Sequence, residues 1–138
     1  MDYLYKRMQR SLKIESNIGN LRIVENAIDS LTNDAGLSQD SYGKILIGTL
    51  EAVNNAIVHG NKSDINKLVE IKFVLEKKCL IVTVTDEGKG FKPKEIPDPT
   101  RKENIESLDG RGVFLMSKLA DDIKFNRKGN SVKMTFKL

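Results

Sequence analysis

Glu51 and Asn55 stand four residues apart in the string Glu51-Ala52-Val53-Asn54-Asn55-Ala56-Ile57-Val58-His59. In a helix that spacing puts a carboxylate and an amide on one face, with Asn54 close to it and His59 one turn further on. Such a carboxylate can act as a general base. The amide oxygen can ligate Mg²⁺, which prefers oxygen donors and keeps several waters. A solvated polar face has the same composition, although two asparagines inside a helix run against the poor helix propensity of Asn. A second cluster, Asp86-Glu87-Gly88-Lys89-Gly90-Phe91, follows an apolar stretch. An acid at a strand end, followed by Gly-X-Gly, can place its carboxylate in a cleft where the backbone approaches a ligand closely. Asp86 could there accept a hydrogen bond from the amino group of adenine; a plain turn has the same residues. A third cluster, Gly110-Arg111-Gly112, opens a short helix. Free amides at a helix N-terminus bind phosphate, and Arg111 adds a fork of donors, while an ordinary capped helix start reads alike.

The elements that must position these groups follow from periodicity. Leu12, Ile14 and Ser16 alternate with Lys13 and Glu15, which predicts a strand over 10–16. Asn17 or Asn20 can cap a helix running to about Asn33, with Leu21, Val24, Ala27, Ile28 and Leu31 on its apolar stripe. Gly36 ends it. Ser38 or Asp40 can cap a second helix to about His59, with Leu46, Leu50, Val53 and Ile57 as its core stripe and Gly60 at the C-cap. Two strands, 68–75 and 80–85, read as a hairpin, and 122–126 with 131–137 read as another, turning at Lys128-Gly129-Asn130. A short helix is expected over 112–119. The polar stretch 88–109 contains Pro93, Pro97 and Pro99, and a loop of that length is usually functional or mobile. This order predicts one α+β domain over 1–138, a two-layer sandwich with a mixed, mostly antiparallel sheet and helices on one face.

Composition narrows the classes. The 138 residues, 39% hydrophobic and 30% charged, fit one globular domain that buries roughly two-thirds of its unfolded surface. Cys79 is the single cysteine, which excludes an internal disulfide and a cysteine-based zinc site; its apolar neighbours suggest a packed thiol. No apolar run reaches the ~20 residues that span a bilayer, and the first residues lack the apolar core of a signal peptide. A cytoplasmic protein without membrane contact is the expectation. The net charge of +4 is dispersed among 19 acids, which argues against direct nucleic-acid binding and suits a nucleotide or an acidic protein surface. Neither a Walker string nor a Gly-X-Gly-X-X-Gly after a strand is present.

In their order and spacing the three clusters resemble the GHKL (Bergerat-fold) ATPases, which carry an N box on a helix, an Asp-X-Gly-X-Gly box after a strand, a lid and a second glycine box. The string Glu-Ala-Val-X-Asn-Ala-Ile-X-His-Gly at 51–60 is more particularly similar to the bacterial anti-sigma factor serine kinases. The resemblance runs from about Lys13 to the C-terminus. It implies an ATP/ADP site with Mg²⁺, under a lid over about 88–111. Glu51 matches the general base and Asn55 the Mg²⁺ ligand. Asp86 matches the adenine-reading acid, with Gly88 and Gly90 shaping its pocket. Gly110 and Gly112 match the phosphate-cradling box, with Arg111 between them as a catalytic donor. Ser131 keeps a hydroxyl that could reach adenine through water, although Asn130 departs from the family's Gly-Thr-Thr. His59 matches a frequent histidine of the subfamily, with packing or capping the expected role. Lys92, Lys94 and Arg101 are candidate phosphate or partner contacts. The implied partners are a sigma factor and an anti-anti-sigma (STAS) protein, in a homodimer. A nucleotide-dependent binding module without transfer is the alternative, and an ATPase component of another signalling complex a third. With His59 as the single histidine, no phosphoacceptor histidine box is present.

Overall fold

The architecture follows from two apolar periodicities meeting face to face. The computed structural model describes residues 7–89 and 115–138. Strands β1 (Met8–Glu15), β2 (Leu68–Glu76), β3 (Cys79–Thr85), β4 (Asp122–Phe125) and β5 (Ser131–Lys137) form one sheet in the order β1-β2-β3-β5-β4. All four pairings are antiparallel, so the described sheet has no parallel component. Alternate residues point to one face: Val69, Ile71, Phe73 and Leu75 from β2; Leu80, Val82 and Val84 from β3; Val132, Met134 and Phe136 from β5. That face packs with the apolar stripes of two helices, Val24, Ile28 and Leu31 of α1 (Leu21–Ala35) and Ile45, Ala52 and Val53 of α2 (Gln39–Asn55). Cys79 opens β3 on the other phase, half-buried and outside this core, so its thiol is not packed there.

Local chemistry sets the helix boundaries. Asn17 accepts from the Gly19 N–H at 2.8 Å and starts a single 3₁₀ turn (Ile18–Asn20) that feeds α1. Asn20 does not cap; its amide donates to the Glu15 carbonyl at 3.0 Å. Gly36 ends α1 at φ 66°, a left-handed conformation that favours glycine, and closes onto the Asn33 and Thr32 carbonyls. Ser38, not Asp40, caps α2 by accepting from Ser41 N–H at 3.1 Å. Asp40 sits in the first turn, where the helix dipole favours a negative charge. Tyr42 of α2 donates to Asp29 of α1, and Arg10 of β1 pairs with Asp34 at 2.7 Å. These ties are exposed to solvent, which screens them, and they guide packing more than they drive it.

The second helix does not run regularly to His59. After Asn55 it widens into one π-helical turn, Ala56–Gly60, in which Asn61 N–H reaches the Ala56 carbonyl at 2.8 Å. Lys62 and Ser63 follow at φ 51° and 56°, left-handed positions that cost non-glycine residues roughly 1–2 kcal/mol each. No helix among the described residues is long and apolar enough to cross a membrane.

One core residue is out of keeping with its surroundings. The Thr49 hydroxyl on α2 is buried with no hydrogen-bond partner among the described residues. A buried unsatisfied hydroxyl costs about 1–3 kcal/mol. We expect Thr49→Val to stabilise the protein by about 1 kcal/mol, read as a rise of roughly 3–5 °C in the thermal midpoint. An unchanged or lower midpoint would mean that the hydroxyl is satisfied.

Candidate functional site

The sheet order brings one set of element ends together. Thr85, last of β3, is the register partner of Ser131, first of β5, and their hydroxyls lie 2.8 Å apart. The next residue, Asp86, is therefore held against the β4–β5 turn. Its N–H donates to the Asn130 carbonyl at 2.9 Å, and its carbonyl accepts from the Asn130 side-chain amide at 2.9 Å. Asn126 braces that turn. Its side-chain oxygen accepts from the backbone of Gly129, Asn130 and Ser131, and its amide donates to Asn130 Oδ1 at 2.8 Å. The departure at Asn130 thus has a structural role, a two-way clamp on the Asp86 peptide.

The Asp86 carboxylate sits between two glycines. Oδ1 accepts from the Gly88 N–H at 2.8 Å. Oδ2 has no hydrogen-bond partner among the described residues and lies against Gly60, where a Cβ would stand 2.3 Å from it. A Cβ on Gly88 would meet the Gly60 carbonyl oxygen at 2.1 Å. Both distances are far inside contact range, so the acid loop and the end of the π-helical turn approach this closely only with hydrogen at both positions. Gly60 has no positive φ and is not a left-handed C-cap. It is the surface against which the acid packs.

Asn61, the next residue, is buried and was not among the residues singled out from the sequence. Its amide donates to Ser16 Oγ at 2.8 Å and to the Leu68 carbonyl at 3.0 Å, and its Oδ1 accepts from Glu87 N–H at 2.8 Å. Ser16 Oγ donates in turn to the Lys67 carbonyl at 2.6 Å, and Glu87 Oε2 accepts from the Leu68 N–H. A polar residue directly after a glycine at a helix end gave a weak signal, easily read as a turn.

Glu51 and Asn55 lie on α2, roughly two and a half and one and a half turns before Gly60, half-buried and with no side-chain hydrogen bond to a described residue. Four residues separate them by about 6 Å along the axis. His59 is exposed in the last turn, where the helix dipole favours positive charge. Glu51, Asn55, Gly60, Asp86, Gly88 and Ser131 thus sit on elements that meet at one end of the sheet. Gly90, Lys92, Lys94, Arg101, Gly110, Arg111 and Gly112, with nearly all of the expected lid, lie outside the described residues.

Residues 14–136 match the histidine kinase-like ATPase domain family. The chain belongs to that family. This ATPase domain is similar to the serine-protein kinase RsbW of Bacillus subtilis (strain 168), with 28% identity over 131 residues covering 90% of this chain and 82% of the relative. The RsbW of Listeria monocytogenes serovar 1/2a is 27% identical over 121 residues, 79% of this chain and 74% of the relative. Among solved structures, the RsbU and RsbW domains of a Mycobacterium tuberculosis protein superpose with TM-score 0.66 at 14% identity, covering 94% of this chain and 31% of that chain. A blue-light-activated histidine kinase domain from Erythrobacter litoralis gives 0.56 at 18%, covering 91% and 61%. Both share the fold.

In this ATPase domain the Asp86 carboxyl is pushed above its ordinary 3.8. Desolvation by burial dominates, and the Gly88 N–H with the nearby Lys128 and Lys67 charges pulls the other way. A raised acid binds its proton more tightly in the folded state. Its contribution to stability is therefore present in full below 3.8 and is lost as pH rises through the folded value. At neutral pH the charged Asp86 works against folding. Asp86→Asn keeps an acceptor for the Gly88 N–H and removes that charge. We expect it to stabilise the nucleotide-free protein at pH 7 by less than about 1 kcal/mol, read as a higher thermal midpoint, because solvent screens a half-exposed group. The gain should shrink as pH approaches 3.8. A loss of stability at pH 7 would contradict this reading.

Proposed function

We propose that this chain is an ATP-dependent serine/threonine protein kinase of the anti-sigma type. It sequesters a sigma factor and phosphorylates a serine on a STAS-type antagonist, as a homodimer. The observation that carries the nucleotide part is the Asp86 carboxylate, half-buried between Gly60 and Gly88 with one oxygen unused by the described protein. Adenine presents an amino donor to such an acceptor, whereas guanine presents a carbonyl. The RsbW relatives support the kinase part, since they are named serine-protein kinases.

The residues fit a Mg²⁺-bound nucleotide. Asn55 is half-buried with its amide uncommitted to any described residue, a neutral oxygen donor of the kind Mg²⁺ accepts alongside phosphates and waters. No group of three His, Cys, Asp or Glu side chains among the described residues could hold a metal alone, so phosphates and waters would complete the shell. The ion would neutralise phosphate charge there. Glu51 takes the proton from the incoming serine hydroxyl. The serine oxygen then bonds to the γ-phosphorus, the bond to the ADP oxygen breaks, and ADP leaves with the electron pair. Arg111 and the Gly110 and Gly112 amides are assigned to the transferred phosphoryl group, and Ser131 to the adenine edge through water.

Two substitutions separate these roles. Glu51→Gln keeps size and most hydrogen bonding but takes up no proton. It should cut phosphoserine formation on the antagonist by about 10²–10⁴ and leave ATP affinity within a few-fold. Asn55→Ala should weaken Mg²⁺-ATP binding itself. Phosphate transfer is followed with labelled ATP and the antagonist, and affinity by calorimetry. Transfer by Glu51→Gln at the wild-type rate would remove Glu51 as base. Wild-type protein that binds ATP yet yields no phosphoserine would leave a nucleotide-dependent binding module.

A further inference from the structure

We propose that Asn61 is a positioning residue of the nucleotide site, the group that sets where the Asp86 carboxylate stands relative to the helix bearing Glu51 and Asn55. The proposal rests on the nucleotide reading of Asp86. Asn61 makes no hydrogen bond to that carboxylate among the described residues. It holds both of the segments that do the touching. Through its own backbone it follows Gly60, the wall against which Oδ2 lies. Through its side-chain oxygen it holds the N–H of Glu87, the residue after Asp86.

The orientation of the amide is dictated by its neighbours. Ser16 Oγ spends its single proton on the Lys67 carbonyl, so it can only accept from Asn61. The Leu68 carbonyl likewise can only accept. Both Nδ2 protons are thereby committed, and Oδ1 must face the Glu87 N–H. The backbone is committed too: its N–H goes to the Ala56 carbonyl at 2.8 Å, and its carbonyl accepts from Asp64 N–H at 3.0 Å. Neither a carboxylate nor an apolar side chain of this size can make all three side-chain bonds. On the far side Asp86 is clamped by Asn130, so the Asn61–Glu87 bond is the link that registers the acid against α2. Displacements of about 1 Å can cost up to 10²-fold where groups must meet in fixed geometry.

A merely structural residue would lower the folded fraction and so weaken all ligands alike. A positioning residue changes which ligand is preferred. We expect Asn61→Ala, measured by calorimetry well below its thermal midpoint, to bind ADP roughly tenfold more weakly and to narrow the preference for ADP over GDP. A tenfold loss corresponds to about 1.4 kcal/mol. Ser16→Ala removes one partner of the same amide and leaves the Glu87 bond in place; it should keep ADP affinity and preference within about threefold. Wild-type affinity and preference in Asn61→Ala would overturn the proposal, and so would an equal loss in Ser16→Ala. If Asn61→Ala does not fold, Asn61→Ser, too short to reach the Glu87 N–H, takes its place with the same expectations. Amide exchange of the nucleotide-free protein separates this proposal from the nucleotide reading. The Glu87 N–H should exchange at least tenfold faster in Asn61→Ala than in Ser16→Ala, and equal rates would overturn the proposal. Wild-type protein that prefers GDP would sink the adenine reading of Asp86 while leaving that exchange comparison to judge Asn61.

Discussion

The approach of the Asp86 carboxylate to Gly60 is the contact on which the arrangement of the site depends. A carboxylate oxygen against a Cα, with a second glycine packed on the Gly60 carbonyl, leaves no room for any side chain at either position. The contact is not attractive in itself. Burial raises the acid's proton affinity, so the charged form is held at a cost. Surrounding structure must supply what the contact does not. Asn130 fixes the Asp86 peptide in both directions, Asn126 fixes Asn130, and Asn61 fixes the following peptide. Neutral hydrogen bonds of this kind contribute about 0.5–1.5 kcal/mol each, so several together outweigh one half-exposed, partly desolvated carboxyl.

Unfavourable features gather at the same end of the molecule. Lys62 and Ser63 take left-handed backbone directly after Asn61, and the helix before them opens into a π-helical turn. Strained dihedrals persist when neighbouring interactions over-determine them, and they cluster at functional sites. Here the over-determination is visible. The Ser63 N–H donates to the Ile57 carbonyl at 2.7 Å and the Asp64 N–H to the Asn61 carbonyl at 3.0 Å, which leaves the turn little choice of path.

Most of the fold was legible because it rests on apolar alternation. The strands containing Ile71, Phe73 and Leu75, and Leu80, Val82 and Val84, carry the period of two over enough residues to outvote any helical reading. The helix ends were legible to within a pair of candidates, Asn17 or Asn20 and Ser38 or Asp40, with Gly36 between the helices, because capping is a property of single side chains and of glycine. The purely antiparallel pairing was not, since strand direction in a sheet depends on connections that periodicity does not encode. Gly60 was legible as a position and misread as to cause: a glycine after a helix suggests a left-handed cap, and nothing local says that an acid 26 residues later will occupy its missing Cβ. The hydrogen bonds of Asn61, Asn126 and Asn130 were unread for the same reason. Their partners are set by tertiary contact, and asparagine in a polar turn looks alike whether solvated or buried. Asp86, Asn55 and Glu51 stood out in the sequence as positions, because a carboxylate and an amide four residues apart on a helix, and an acid directly after a strand, are marked by spacing alone.

That the helix ends in a π-helical turn is best understood from the junction it must make. An α-helical end exposes its last carbonyls, and water or a left-handed glycine usually satisfies them. Here the Ala56 and Ile57 carbonyls accept instead from Asn61 and Ser63, and Gly60 turns its carbonyl to the Gly88 side of the acid loop. Widening by one residue closes the helix against the chain that returns as β2, with Asn61 bonded to Leu68 at its start. A side chain at position 60 would displace the Asp86 carboxylate, because a Cβ there would stand 2.3 Å from Oδ2. The irregular end of α2 and the placement of the acid are therefore one feature, and the helix that carries Glu51 and Asn55 is fixed to Asp86 by its own termination.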